Sequence, residues 1–206
     1  MSAEPIKSWT RLLGTSRSDN ATSVTTGSDG SIYIAGETEG NLDGNSNASY
    51  NNGSKDAFLS KYNSDGTKSW TRLLGTYAYD SATSVTTGSD GSIYIAGITY
   101  GNLDGNSNAG NGDAFLSKYN SDGTKSWTRL LGSSASDGAS SVTTGSDGSI
   151  YIAGITYGKL DGNSNDGSAD AFLSKYNSDG TKSWTRLLGS SPVLLPFILM
   201  GYWRVL

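Results

Sequence analysis

The sequence predicts an all-β fold made of tandem four-stranded units, in the arrangement of a β-propeller. Two observations predict it: a long internal repeat, and alternation of apolar residues within each repeat. The string KSWTRLLG begins at Lys7, Lys68, Lys125 and Lys182, at spacings of 61, 57 and 57 residues. Self-similarity at a period this long is typical of propellers and solenoids.

Each repeat contains four candidate strands separated by polar stretches. In the second repeat they are residues 84–87, 92–96, 114–119 and 126–131. They are rich in Tyr, Ile, Phe, Trp and Thr and alternate with period two, which is the pattern of half-buried strands. No segment carries an apolar stripe of helical period and useful length. We therefore predict four-stranded units with no helix.

The turns between these candidates also indicate hairpins. Asp90-Gly91 separates the first two strands and Asp122-Gly123 separates the last two. Asp-Gly between alternating strands favours a hairpin, because glycine accepts a positive φ. The link over 97–113 is rich in Gly and Asn, and its counterpart in the first repeat is four residues longer. A segment that absorbs an insertion is predicted to be a surface loop.

We predict three complete blades preceded by one lone strand. By analogy with related propellers, SVTTG is predicted to be innermost and SWTRLL outermost in each blade. The predicted segments are an N-terminal segment (1–6), a lone outer strand (7–14), blade 1 (15–75), blade 2 (76–132), blade 3 (133–189) and a non-repeat apolar tail (190–206). Propellers have about four to eight blades, so this array is predicted to be incomplete or open. Uncovered blade faces cost stability. We therefore expect the chain to self-associate through its open ends, for instance as a dimer that pools six blades.

The tail PVLLPFILMGYWRVL departs from the repeat and has three interpretations. Its apolar run, 193–200, is interrupted by Pro196 and is far shorter than the roughly 20 residues of a membrane span. We predict no transmembrane span. The tail is interpreted as the end of a truncated or frameshifted repeat gene, as a cap on the last blade, or as a membrane contact.

Composition narrows the classes of function. The chain has 19 acidic and 15 basic residues with no basic stripe, so nucleic acid is not an expected partner. It has no Cys and no His, which excludes disulfides, thiolate nucleophiles, histidine bases and most zinc or copper sites. Every other candidate catalytic group recurs in near-identical copies, whereas catalysis needs one asymmetric constellation. We predict that the chain is not an enzyme and has no catalytic residue.

One repeated polar pattern suggests a cofactor, Ca²⁺. Each loop carries D-x-N-x-N followed by a later acid, and alternating Asp and Asn oxygens are ligands that calcium prefers. The candidate ligands are Asp43, Asn45, Asn47 and Asp56 in the first unit, Asp104, Asn106, Asn108 and Asp113 in the second, and Asp161, Asn163, Asn165 and Asp170 in the third. No Glu stands at the twelfth position of any loop. The alternative is that these residues form Asx turns in a Gly-rich loop.

The run DAFLSKYNSDGTKSWTRLLG, then D-x-A-T-S-V, then GSDGSIYIAGIT, resembles the bacterial β-propeller repeat family abbreviated SBBP. The resemblance covers residues 7 to about 190 and implies the propeller fold. It implies no shared catalytic residues, and it favours an extracellular or cell-surface location. The first seven residues show no apolar signal segment, so the compartment stays open.

Three hypotheses of function follow from these observations. The first is a non-enzymatic module for binding or scaffolding, with an unknown protein or glycan ligand. Its repeated weak sites would gain strength through multivalency. The second is a calcium-dependent adhesive or carbohydrate-binding surface protein. The third is a truncated fragment of a longer repeat protein with no independent function.

Overall fold

The computed structural model describes residues 8–50 and 52–189. Within these residues the protein is all-β, with twelve strands in three four-stranded sheets. Blade 1 consists of β1 (Asp19–Thr26), β2 (Ile32–Thr38), β3 (Asp56–Tyr62) and β4 (Lys68–Leu74). Blade 2 consists of β5 (Asp80–Thr87), β6 (Ile93–Thr99), β7 (Asp113–Tyr119) and β8 (Lys125–Leu131). Blade 3 consists of β9 (Asp137–Thr144), β10 (Ile150–Thr156), β11 (Asp170–Tyr176) and β12 (Lys182–Leu188).

Each blade is an antiparallel meander in which strand order follows chain order. The first strands, β1, β5 and β9, contact one another between blades, which makes them the inner strands. The fourth strands, β4, β8 and β12, form the outer edges. Within the described residues no sheet closes on itself. The predicted all-β, open array of propeller-type blades is therefore confirmed.

The first strand of each blade begins earlier than the sequence pattern predicts. β5 starts at Asp80, which pairs with Thr99, and a bulge between Ala82 and Ser84 interrupts its register. A bulge places two residues of one strand opposite one residue of its partner, so the alternation of side chains is broken there. The sequence pattern therefore revealed only the residues after the bulge.

The prediction of a leading outer strand over 7–14 is wrong for the residues that the structure describes, since 8–14 form no strand. In each blade the fourth strand pairs with the third strand of the same blade. Within 8–50 and 52–189 every third strand already pairs with the fourth strand of its own blade, as β11 does with β12. The segment therefore has no ladder to join. The predicted N-terminal segment (1–6) and apolar tail (190–206) lie outside the described residues.

The hairpins between strands have the expected backbone. Gly91 and Gly123 adopt φ of 77° and 83°, and their counterparts in the other blades are similar. The side chain of Asp90 closes the first turn by accepting a hydrogen bond from the Ser92 amide at 3.0 Å. An Asx contact of this kind replaces a backbone hydrogen bond in the turn. These aspartates therefore act in turn formation.

Candidate functional site

The core of the molecule lies between blades. One face of blade 1, which carries Tyr33 and Leu59, packs on the face of blade 2 that carries Ile93, Ile95 and Phe115. The junction between blades 2 and 3 repeats this packing with the equivalent residues. Burial of apolar area is the main favourable contribution to folding. Each blade is therefore stabilised chiefly by its neighbours.

Polar contacts at the first junction join blade 1 to the backbone of blade 2. The guanidinium Nε of Arg72 donates to the Gly123 carbonyl at 2.9 Å. The Trp70 ring packs on the same glycine, where an added Cβ would come within 2.9 Å of the ring. At the inner end the hydroxyl of Thr22 donates to the Ala82 carbonyl at 2.6 Å.

The second junction has the same contacts one blade further along. Arg129 Nε donates to the Gly180 carbonyl at 3.0 Å, and the Trp127 ring covers Gly180. Thr83 donates to the Ala139 carbonyl at 2.7 Å. One face of each blade thus supplies the arginine and the tryptophan ring. The opposite face of the next blade supplies the glycine that they contact, so the two halves of the junction differ and the junction has a direction.

Both ends of the array expose residues that the internal junctions bury. Leu173 on blade 3 is 41% exposed, whereas its counterpart Leu59 is fully buried. Val24 on blade 1 is 65% exposed, whereas its counterpart Val85 is 6% exposed. Leu188 on β12 is also strongly exposed. Because apolar surface of this kind marks interaction sites, the two open faces are the candidate functional site.

The open face of blade 1 forms a groove of about 300 Å³. Ile32, Ile34 and Phe58 line one side, and Trp9 and Leu13 of the N-terminal segment line the other. The counterparts of the two isoleucines in blade 2 are fully buried by blade 1. The groove therefore occupies the place that the inner strands of a preceding blade would fill.

The first residue of each predicted calcium pattern is engaged within the protein. Asp43 forms an ion pair with Lys68 and accepts a hydrogen bond from Thr71, which in turn contacts Ser60 at 2.7 Å. Asp104 and Asp161 make the equivalent contacts in blades 2 and 3. These acids tie the loop to β4, β8 and β12.

The remaining predicted ligands are also engaged. The amide of Asn45 caps the Leu42 carbonyl, and Asn47 bonds Thr38 and Ser49. Asn106, Asn108, Asn163 and Asn165 likewise donate to nearby backbone carbonyls. The later acids, Asp56, Asp113 and Asp170, are buried and accept from the loop backbone. No group of three or more Asp or Glu able to hold a metal occurs in 8–50 and 52–189.

The calcium hypothesis stays a prediction. The oxygens of Asp43 are already partnered by β4, and the oxygen of Asn47 is partnered inside the loop. A cation that binds the folded state would raise the melting temperature by mass action. Thermal unfolding with CaCl₂ and with EDTA measures this. If calcium binds, the melting temperature rises in CaCl₂, and the rise is smaller in Asp113→Asn, which removes a ligand from one of the three loops. Equal melting temperatures in CaCl₂ and EDTA would reject calcium.

Pairs of buried aspartates sit side by side at both junctions. The backbone N–H of Asp80 donates a hydrogen bond to the carbonyl of Lys55, the residue before Asp56, at 2.8 Å. The residues Asp56 and Asp80 are both almost fully buried. Burial raises the pKa of Asp56 to about 6, and the neighbouring Asp80 adds to the rise. Burial also raises the pKa of Asp113, which lies beside Asp137. Like charges brought together without water favour the protonated form.

Comparison with known proteins gives a match to one family model. Residues 8–43 match the family model described as SBBP, beta-propeller repeat. The match covers one repeat of the chain. The strand sequence SVTTGSDGSIYIAG of the matched region recurs from Ser84 and Ser141, so the later blades repeat the matched sequence. The resemblance predicted from the sequence is confirmed.

Two further similarities were found. The chain is 32% identical over 171 residues to the "Regulatory protein FlaEY" of Caulobacter vibrioides, covering 75% of this chain and 18% of that protein. The chain thus spans less than a fifth of that relative's length. A solved structure of a protein of unknown function from Bacteroides caccae shares 9% identity, with a TM-score of 0.40 over 84% of this chain and 48% of that one. In the described residues, no helix is long and apolar enough to cross a membrane.

The sequence alone did not identify the open faces as a site, because they consist of ordinary core residues. Leu173 and Val24 have the same sequence context as their buried counterparts. Only the position of the repeat in the array decides whether each is covered. The available signal was the number of repeats, which led to the expectation of open ends but identified no residue on them.

Proposed function

We propose that this chain is a non-enzymatic scaffolding module that binds a second copy of itself through its open blade faces. One observation carries the proposal: each end displays one half of a junction that the chain forms twice. Blade 3 displays Trp184, Arg186 and Leu173, the counterparts of the residues that cover blade 2 and blade 3. Blade 1 displays the receiving half, with Val24 and the groove along Ile32 and Ile34.

The geometry of this contact is head to tail. Because the two halves differ, blade 3 of one copy fits blade 1 of the next. Heterologous contacts of this kind build rings when the rotation closes and filaments when it does not. Two copies of three blades make six, which is within the range of about four to eight blades of known propellers. A two-copy ring therefore covers all the open faces.

The relative from Caulobacter vibrioides is named a regulatory protein, which supports a role in interaction between proteins. The repeats also support it, because a scaffold offers the same loops and turns at regular spacing. Weak contacts to such a surface add up when several are made together. In our proposal, the ligand that this scaffold binds is a protein or a glycan.

Sedimentation velocity over a range of concentrations tests the association. We expect a mass above that of the 21.5 kDa chain, rising with concentration. Leu173→Glu is expected to raise the dissociation constant by about tenfold or more, because a carboxylate would lose its water in the contact. The blade itself tolerates this change, since Leu173 is partly exposed and pairs across the sheet with Arg186.

The matched control is Tyr77→Glu. Tyr77 is 75% exposed on the loop before β5, outside both open faces, and its counterparts are Ser16 and Ser134. This variant should associate like the unchanged chain. A one-chain mass at every concentration up to about 100 μM, which corresponds to a free energy of binding weaker than about −5.5 kcal/mol, would reject the proposal.

A further inference from the structure

The N-terminal residues 8–14 lie where the outer strand of a preceding blade would lie. The Trp9 ring covers Gly66, where an added Cβ would come within 2.7 Å of the ring. Trp70 covers Gly123 and Trp127 covers Gly180 in the same way, at 2.9 Å. Trp9 therefore makes on blade 1 the contact that an outer strand makes at both internal junctions.

The segment also has the sequence of an outer strand. Residues 7–14 and 182–189 read KSWTRLLG in both cases, so the N-terminal segment duplicates β12. The two differ in their state. β12 pairs with β11 along its length, whereas 8–14 pair with no strand. Leu12 of this segment is 96% exposed.

Residues 8–14 and the β12 of a second copy therefore compete for the same position on blade 1. When blade 3 of a second copy docks on blade 1, its β12 brings Trp184 to the Gly66 position, which Trp9 already holds. Two tryptophan rings cannot cover one glycine. Residues 8–14 are the ones displaced, because their release breaks no strand pairing. Release of β12 would break its pairing with β11.

We propose that residues 8–14 cap the open face of blade 1 and compete with β12 of a second copy for it. The proposal rests on the proposed function, since it names what regulates the same contact. The capped form is closed to the partner. The measured association constant is therefore the intrinsic association constant multiplied by the fraction of chains that are uncapped. The cap also covers part of the apolar groove while the chain is alone.

The test compares two tryptophan substitutions in the full chain by sedimentation velocity. Trp9→Ala removes the anchor of the cap and is expected to strengthen self-association by about tenfold, the change for a cap that is closed in nine-tenths of chains. Trp184→Ala removes the same ring from the docking strand and is expected to weaken self-association by about tenfold or more, since buried tryptophans dominate interfaces. The same residue type in the same sequence context thus has opposite effects.

Circular dichroism checks that both variants keep the fold. Trp9 lies outside all twelve strands, so its replacement leaves every ladder intact. Arg186→Ala is a second variant of the docking strand, needed if Trp184→Ala fails to fold. The Nε donors of Arg72 and Arg129 bind carbonyls of the next blade, so the counterpart Arg186 is expected to bind the Gly66 carbonyl of a partner. Its loss should also weaken association.

The outcomes separate the two proposals. If the unchanged chain and all variants stay single, the proposed function itself fails. If the chain associates and Trp9→Ala has no effect, the cap is wrong and the scaffold stands. If Trp9→Ala weakens association as much as Trp184→Ala does, residues 8–14 contribute to the contact by strand exchange, which also overturns the cap.

Discussion

Replacing Gly97 by alanine is expected to lower the free energy of unfolding by about 3–5 kcal/mol, among the larger losses seen for single substitutions. Gly97 lies in β6 opposite Ala82, where β5 bulges. A Cβ on Gly97 would come within 1.9 Å of the Ser81 carbonyl oxygen and 2.9 Å of the Phe115 ring. The oxygen belongs to the backbone, so relief of the clash would require the inner strand to move.

The matched control is Gly138→Ala. Gly138 lies in β9, and the nearest atom to an added Cβ would be in the Ile98 side chain, at an ordinary contact distance of 3.4 Å. The counterparts of Gly138 in the other blades are Asn20 and Ser81, so this position accepts side chains. Urea unfolding followed by circular dichroism measures both variants. Equal losses for Gly97→Ala and Gly138→Ala would show that the bulge does not confine Gly97.

Asp56→Asn is expected to stabilise the protein at pH 7 by on the order of 2 kcal/mol and to leave it unchanged near pH 4. Burial and the nearby Asp80 raise the pKa of Asp56 from 3.8 to about 6. The folded state therefore holds this proton more tightly than the unfolded state does. Stability is full below pH 4, where both states are protonated, and falls as the pH rises through 6.

The measurement is the difference in unfolding free energy between Asp56→Asn and the unchanged chain at several values of pH from 4 to 7.5. The difference should grow with pH over the window from about 4 to 6. Asp65→Asn is the control, because Asp65 lies in an exposed turn and its pKa is lowered by hydrogen bonds from Thr67. Its difference should be constant above pH 5. A constant difference for Asp56→Asn would mean that this carboxyl group titrates normally.

The sequence predicted the fold well because each blade is specified locally. The alternation in β6, β7 and β8 identified these strands to within one residue at their N-terminal ends, and the Asp-Gly pairs marked the turns. The early half of β5 was missed because its bulge breaks the alternation. Residues 8–14 have the sequence of a strand but no partner, and strand formation depends on the partner as much as on the sequence.

The candidate site was harder to predict, for a different physical reason. Asp43 was interpreted as a cation ligand from its neighbours in the chain. Its partners, Lys68 and Thr71, lie on β4, more than twenty residues away, and the spacing changes with loop length. The exposed Leu173 has no local signal at all, since the same residue in blades 1 and 2 is core.

The two internal junctions repeat the same contacts, and this has a consequence for how such a chain changes in length. An in-frame duplication of 76–132 adds one blade and one junction whose residues are already mutually adapted. No existing surface has to be redesigned, and both ends keep their residues. Recombination between the near-identical repeats therefore produces longer and shorter arrays whose blades already fit one another. The number of blades can change in evolution while the residues at every interface stay the same.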